Sequence, residues 1–109
     1  MTPLLLLLLV TRPYHVVAIP DLPTARQTHV EVSGRVIYVR HEVDGDWHVR
    51  LRHGSASIVA EIIPLIPLPV PRLGQCVTLR GIRRVDREKG HRNQSEVHPV
   101  EAIQVVPCR

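Results

Sequence analysis

The chain has 109 residues, 44% of them hydrophobic and 22% charged, with six glycines and two cysteines. That length suits one domain, and that balance excludes a disordered chain, a collagen-like repeat and a disulfide-dense mini-scaffold. Lys and Arg number 14 against 10 Asp and Glu, a net charge of +4, and Lys89 is the only cation that is not arginine. The guanidinium fork matches phosphate, so this surplus suits nucleic-acid binding; it equally suits a basic surface with no ligand. Phe is absent and only Tyr14, Tyr38 and Trp47 are aromatic, so a β-branched core is expected, without a broad aromatic surface.

The chain opens with MTPLLLLLLV. Its apolar run, Leu4–Val10, is far short of the ~20 residues a membrane-spanning helix needs, so no integral membrane span is expected. The run matches the lower limit of a signal-peptide apolar region, and Val16-Val17-Ala18 resembles a cleavage site, but no cation precedes the run. Residues 1–27 therefore read as an N-terminal extension, a signal or docking segment. A cytoplasmic location is favoured, with export the alternative if residues 1–18 are a signal peptide. Under export Cys76 and Cys108 could pair; in the cytoplasm both would be thiols. Two cysteines without a second pair make no zinc knuckle.

Pro20-Asp21-Leu22-Pro23 reads as a linker, because two prolines in four residues oppose helix and ladder. The folded body is expected over residues 28–109. Thr28–His41 alternates as a long strand, with Gly34 a candidate bulge. Asp44-Gly45 is a hairpin signal. Trp47–His53 alternates strictly, with Trp47, Val49 and Leu51 inward and His48, Arg50 and Arg52 outward. Ser57–Ile63 is a third strand. Pro64–Pro71 carries four prolines and predicts polyproline-like extension. Gln75–Arg80 is a fourth strand broken at Gly81, Arg83–Ser95 a long exposed loop, and Glu96–Val106 a last strand interrupted at Pro99.

This layout suits a small five-stranded barrel of Greek-key type. Val32-Ser33-Gly34-Arg35-Val36, the Asp44–His48 hairpin and the P-x-x-G-x-x-V-x-x-x-G run from Pro71 to Gly81 resemble bacterial OB-fold (oligonucleotide/oligosaccharide-binding) domains, over about 80 of the 109 residues. The chain is also similar to a group of small OB proteins with an acidic-Gly-acidic-x-His hairpin, here Asp44–His48, and a terminal Glu-x-His-Pro-Val strand, here Glu96–Val100. The resemblance implies an all-β, OB-like barrel with an N-terminal extension. A Pro-rich connection stands in place of the usual helix.

Three functional readings follow. The favoured one is a small, basic, non-enzymatic module binding single-stranded nucleic acid through Arg35, Arg40, Arg50, Arg52, Arg80, Arg83, Arg84, Arg87, Lys89 and Arg92, with Tyr38 as a stacking ring. It needs no cofactor. Trp47 lies on the apolar face and reads as core.

The second is a divalent-metal site or a metal-dependent phosphoester hydrolase using Asp46, His48, Glu61, Glu96 and His98. In an OB barrel the third and fifth strands pair, which would bring Glu61 to Glu96 or His98. The plainer account of these residues is a structural hydrogen-bond network. The third reading is an adaptor that meets a protein partner through Pro64–Pro71, whose plainer role is to cap the barrel. His15, His29, His41, His53 and His91 read as surface residues. No nucleophile elbow, phosphate loop or dinucleotide motif is present.

Overall fold

Period-two alternation of valine and isoleucine builds most of the molecule. The computed structural model describes residues 13–86 and 94–109; the apolar run Leu4–Val10 and the residues Arg87, Lys89, His91 and Arg92 lie outside them. The strands are β1 (His15–Val16), β2 (His29–His41), β3 (Trp47–His53), β4 (Ala56–Ile62), β5 (Cys76–Asp86) and β6 (Gln94–Val106). Strands β2, β3, β4, β6 and β5 follow one another in the sheet, and pairing of β5 back onto β2 closes it into a five-stranded barrel. This is the all-β, OB-like arrangement expected.

Strand β2 serves both halves. Its first half pairs with β5 from His29 to Arg35, and its second half pairs with β3 from Arg35 to His41. The crossover sits at Arg35, and just before it is Gly34, where an added Cβ would lie 2.8 Å from Ile19 Cδ1 and 2.9 Å from the Arg52 carbonyl oxygen. Glycine is required there for close approach. The register irregularity itself falls later, between Val36 and Tyr38.

The barrel interior is filled by valine, leucine and isoleucine from all five strands, including Val32, Val36, Leu51, Ile58, Leu79 and Val97. Each such side chain contributes roughly 1.5–3 kcal/mol on burial.

Three segments depart from the sequence reading. Pro20–Pro23 is no linker: Ile19–Thr24 is a short 3-10 helix with a proline in its first turn, where the missing N–H costs nothing. It sends Ile19 and Leu22 into the core at 1% and 0% exposure. The polar stretch after Gly81 is not all loop. Strand β5 continues to Asp86 and β6 begins at Gln94, with Arg83, Arg84, Val85 and Asp86 paired to Val97, Glu96, Ser95 and Gln94. Pro99 does not interrupt β6, which runs through it.

In the connection that replaces the usual helix, Leu68 and Val70 pack on the core and Pro71 is buried, while Leu65 is 87% exposed. Cys76 and Cys108 are joined as a disulfide, which overturns the thiols expected with the favoured cytoplasmic location and bears out the pair that was the alternative. Among the described residues no helix is long and apolar enough to cross a membrane.

Candidate functional site

Register dictates what stands together on the outer face of β2, β3, β4 and β6. Arg40 lies opposite His48, and His48 opposite Glu61; Tyr38 lies opposite Arg50, Arg50 opposite Val59, and Val59 opposite Glu96. Alternation puts all of these side chains on one face, and the parallel pairing of β4 with β6 sets His98 beside Glu61. The expected approach of the third and fifth barrel strands is therefore observed. All of these but Tyr38, together with the 42–46 loop, line a groove of about 760 Å³. The loop is closed by Glu42 N–H donating to the Asp46 carbonyl at 2.7 Å, with Gly45 at φ +95°, a conformation that favours glycine.

Glu61 is the centre of the groove and only 8% exposed. A buried carboxylate is costly unless partnered. His48 Nε2 lies 2.9 Å from its Oε1, and His98 Nδ1 lies 3.5 Å from its Oε2. His48 turns its Nδ1 to Glu42 Oε1 at 3.4 Å. Glu42 in turn accepts two hydrogen bonds from Arg40, from Nε at 2.6 Å and Nη2 at 2.7 Å. Those bonds hold the Glu42 carboxyl below the usual carboxylate range and raise the Arg40 guanidinium further above its own. The result is a chain of contacts, Arg40–Glu42–His48–Glu61, with His98 at its end.

His98 Nδ1 also lies 3.7 Å from Glu96 Oε1 and 2.9 Å from Arg84 Nη1. A guanidinium can only donate, so that contact uses the Nδ1 lone pair. Asp46, just before β3, completes the cluster. Ligand atoms of Asp46, Glu61 and His98 all lie within 4.8 Å of one another. All five residues of the second reading thus line one groove; three of them come within mutual ligand reach, with His48 and Glu96 alongside.

The arginines do not form one continuous face. Arg40, Arg50 and Arg84 line the groove, and Arg50 donates to Ser57 Oγ at 3.1 Å. Arg35 and Arg52 line a separate cleft with His53 and Arg109. Arg80 is paired with Glu31 at 2.9 Å and sits 5.3 Å from the Tyr14 ring centre. Arg83 donates to the Gln27 carbonyl at 3.2 Å. Arg87, Lys89 and Arg92 fall outside the described residues. Tyr38 stands 44% exposed on the groove face. Trp47 is half-buried, packed against the core and stacked on His41 with ring centres 4.2 Å apart.

Sequence reasoning passed over Glu42, although it opens the acidic loop Glu42-Val43-Asp44-Gly45-Asp46 and its position invited attention. His53, read as an ordinary surface residue, lines the second cleft.

Comparison with known proteins rests on shape. No protein-family model matches the chain, and no curated protein matches it. Among solved structures, asparaginyl-tRNA synthetase from Entamoeba histolytica superposes with a TM-score of 0.70 at 17% identity, over 88% of this chain and 24% of that one. The hypothetical protein ygiW from E. coli gives 0.59 at 20% identity, over 84% and 90%. The telomere capping protein Ten1 from S. pombe gives 0.59 at 17% identity, over 85% and 81%. The chain spans less than a quarter of the synthetase.

The fold is an OB barrel. In that fold ligands meet the face of the second and third barrel strands, between the first–second and fourth–fifth loops. Here those strands are β3 and β4. The groove lies on them, bordered by the 42–46 loop and by Arg84, Gln94 and Ser95 at the ends of β5 and β6.

Proposed function

We propose that the chain is a nucleic-acid-binding OB module that takes a single strand along the β3–β4 groove. The observation that carries this is placement: Arg40, Arg50 and Arg84 line a groove on the face where OB barrels receive ligands. Two proteins sharing the fold are named for tRNA and for telomere capping, which supports the same reading. Guanidiniums on β2, β3 and β5 would meet phosphates, and Tyr38 would offer one stacking ring. For location, the Cys76–Cys108 disulfide supports an oxidising compartment, and with it the export reading of residues 1–18 over the cytoplasmic one. Location decides which strands the module meets, not how the groove holds them.

The test is fluorescence anisotropy with mixed-sequence labelled single-stranded DNA and RNA at 50 and 200 mM salt. With about three phosphate contacts, log K against log salt should fall with a slope of about −2. Arg50→Ala and Arg84→Ala should each weaken binding and flatten that slope by about 1, while Arg80→Ala, outside the groove, leaves both unchanged. Absence of binding at low salt, or an equal loss in Arg80→Ala, removes the proposal.

A further inference from the structure

We infer that Asp46, Glu61 and His98 hold one divalent first-row transition-metal ion, of the zinc or manganese kind. Three observations converge on it. First, charge: among the described residues five carboxylates line the groove against three guanidiniums, and Glu61, at its centre between His48 and His98, is only 8% exposed. Like charges gathered in a poorly solvated place demand a counter-charge. Among the described residues no side chain pairs with the Asp46 carboxylate, yet it stands within 4.8 Å of donor atoms on Glu61 and His98.

Second, a donor in place: the His98 Nδ1 lone pair holds a cationic group, the Arg84 guanidinium, at 2.9 Å, and the same nitrogen lies 3.5 Å from Glu61 Oε2. Third, support. Glu61 Oε1 is fixed by His48, and His48 by Glu42, which leaves Oε2 on the side of His98. Carboxylate–imidazole chains of this type orient metal ligands. A plain hydrogen-bond network accounts for His48 with Glu61; it gives no role to the Asp46 side chain.

The donor set decides the class of ion. One nitrogen and two carboxylates suit zinc, manganese or ferrous iron better than magnesium or calcium, which prefer oxygen alone. Asp46 is half-exposed at the loop edge and leaves a path for entry. Arg84, on the exposed end of β5, would have to release the His98 lone pair, so metal and guanidinium compete.

This site does not rest on the nucleic-acid reading and is tested with metal alone. Chelator-treated protein is titrated with Zn²⁺ by calorimetry, and with Mn²⁺ while histidine ring signals are followed by NMR. One equivalent should bind. Mn²⁺ should broaden His48 and His98 and spare His53, which lines the other cleft. Asp46→Asn and His98→Gln should each weaken uptake at least about tenfold, and Glu42→Gln by about tenfold through the chain of contacts. Arg84→Ala should bind as tightly as the parent or more tightly. Asp46→Asn changes a loop side chain that no described side chain pairs with, so it reports on the site even if His98→Gln folds poorly.

The inference is overturned by the absence of saturable uptake in the parent chain. Broadening centred on His53, or full uptake by Asp46→Asn, also overturns it, as does loss of uptake in Arg84→Ala.

Discussion

The two hollows of the barrel are close in size, about 760 Å³ for the groove and 790 Å³ for the cleft. Both are partly lined by arginines from β2 and β3. Their chemistry is opposite. The groove sets five carboxylates and two imidazoles among its guanidiniums. The cleft sets Arg35, Arg52 and Arg109 with His53 and, among the described residues, no Asp or Glu side chain. Arg35 stands directly opposite Arg52 across the ladder, an arrangement that repels, and Arg35 satisfies itself on the Gly74 carbonyl at 3.3 Å. Size and arginine content alone therefore do not tell the two hollows apart. A buried charge with fixed partners does, and only the groove has one.

The strongest way to break the comparison is to remove what shapes the cleft. Cys76 lines it, and the disulfide to Cys108 anchors the tail that brings Val106, Pro107 and Arg109 to its edge. The bond closes a loop of 32 residues. In the chain-entropy account, Cys108→Ser should lower stability by about 3–4 kcal/mol, read from urea unfolding under non-reducing conditions. In the folded variant the ring signals of His48 and His98 should stay where they are. If they move with the tail, the two hollows are one coupled unit and the contrast fails.

A smaller effect belongs to the groove. Glu61→Ala removes the acceptor of His48 Nε2 and the carboxylate beside His98. Leaving a half-buried donor without its partner should cost about 1–3 kcal/mol. Glu61→Gln keeps an acceptor oxygen and should cost less. Urea midpoints of the two variants decide it; equal losses would show that the carboxylate only fills space.

How much of this was legible follows the same divide. Strands β2, β3 and β4 are written in strict alternation with an Asp-Gly hairpin between the first two, and sequence reading placed them within a residue or two. The ends of β5 and β6 are polar on both faces, so their pairing leaves no apolar period to read. Ile19 and Leu22 enter the core from a proline-rich segment because a 3-10 turn tolerates proline early, something composition alone reads as a break.

At the site, strand order predicted that Glu61 would meet Glu96 or His98. Barrel curvature was the missing quantity. Arg50 and Arg52 are two apart on one face of β3, yet one lines the groove and the other the cleft. Glu42 was invisible for a related reason: its role depends on side-chain reach around a loop, not on a strand period.

The subtlest contrast is in acid. Within the groove, Arg40 hydrogen-bonds Glu42 and holds its carboxyl below the ordinary value of 4.5. A carboxyl whose folded pKa is depressed adds stability that is complete above the unfolded value and is lost as pH falls through the folded one. Urea unfolding at pH 7 and pH 3 should therefore show a smaller gap for Glu42→Gln than for the parent chain. The change should be the smallest of the three, because the Arg40 side chain is 59% exposed and water screens the pair. Arg52→Gln, which removes a cation from the cleft, offers the control: with no carboxylate side chain beside it, that gap should stay as wide as in the parent. If Arg52→Gln narrows the gap as much as Glu42→Gln, the acid response is a property of the whole net charge, and the groove loses its claim to a separately organised chain of contacts.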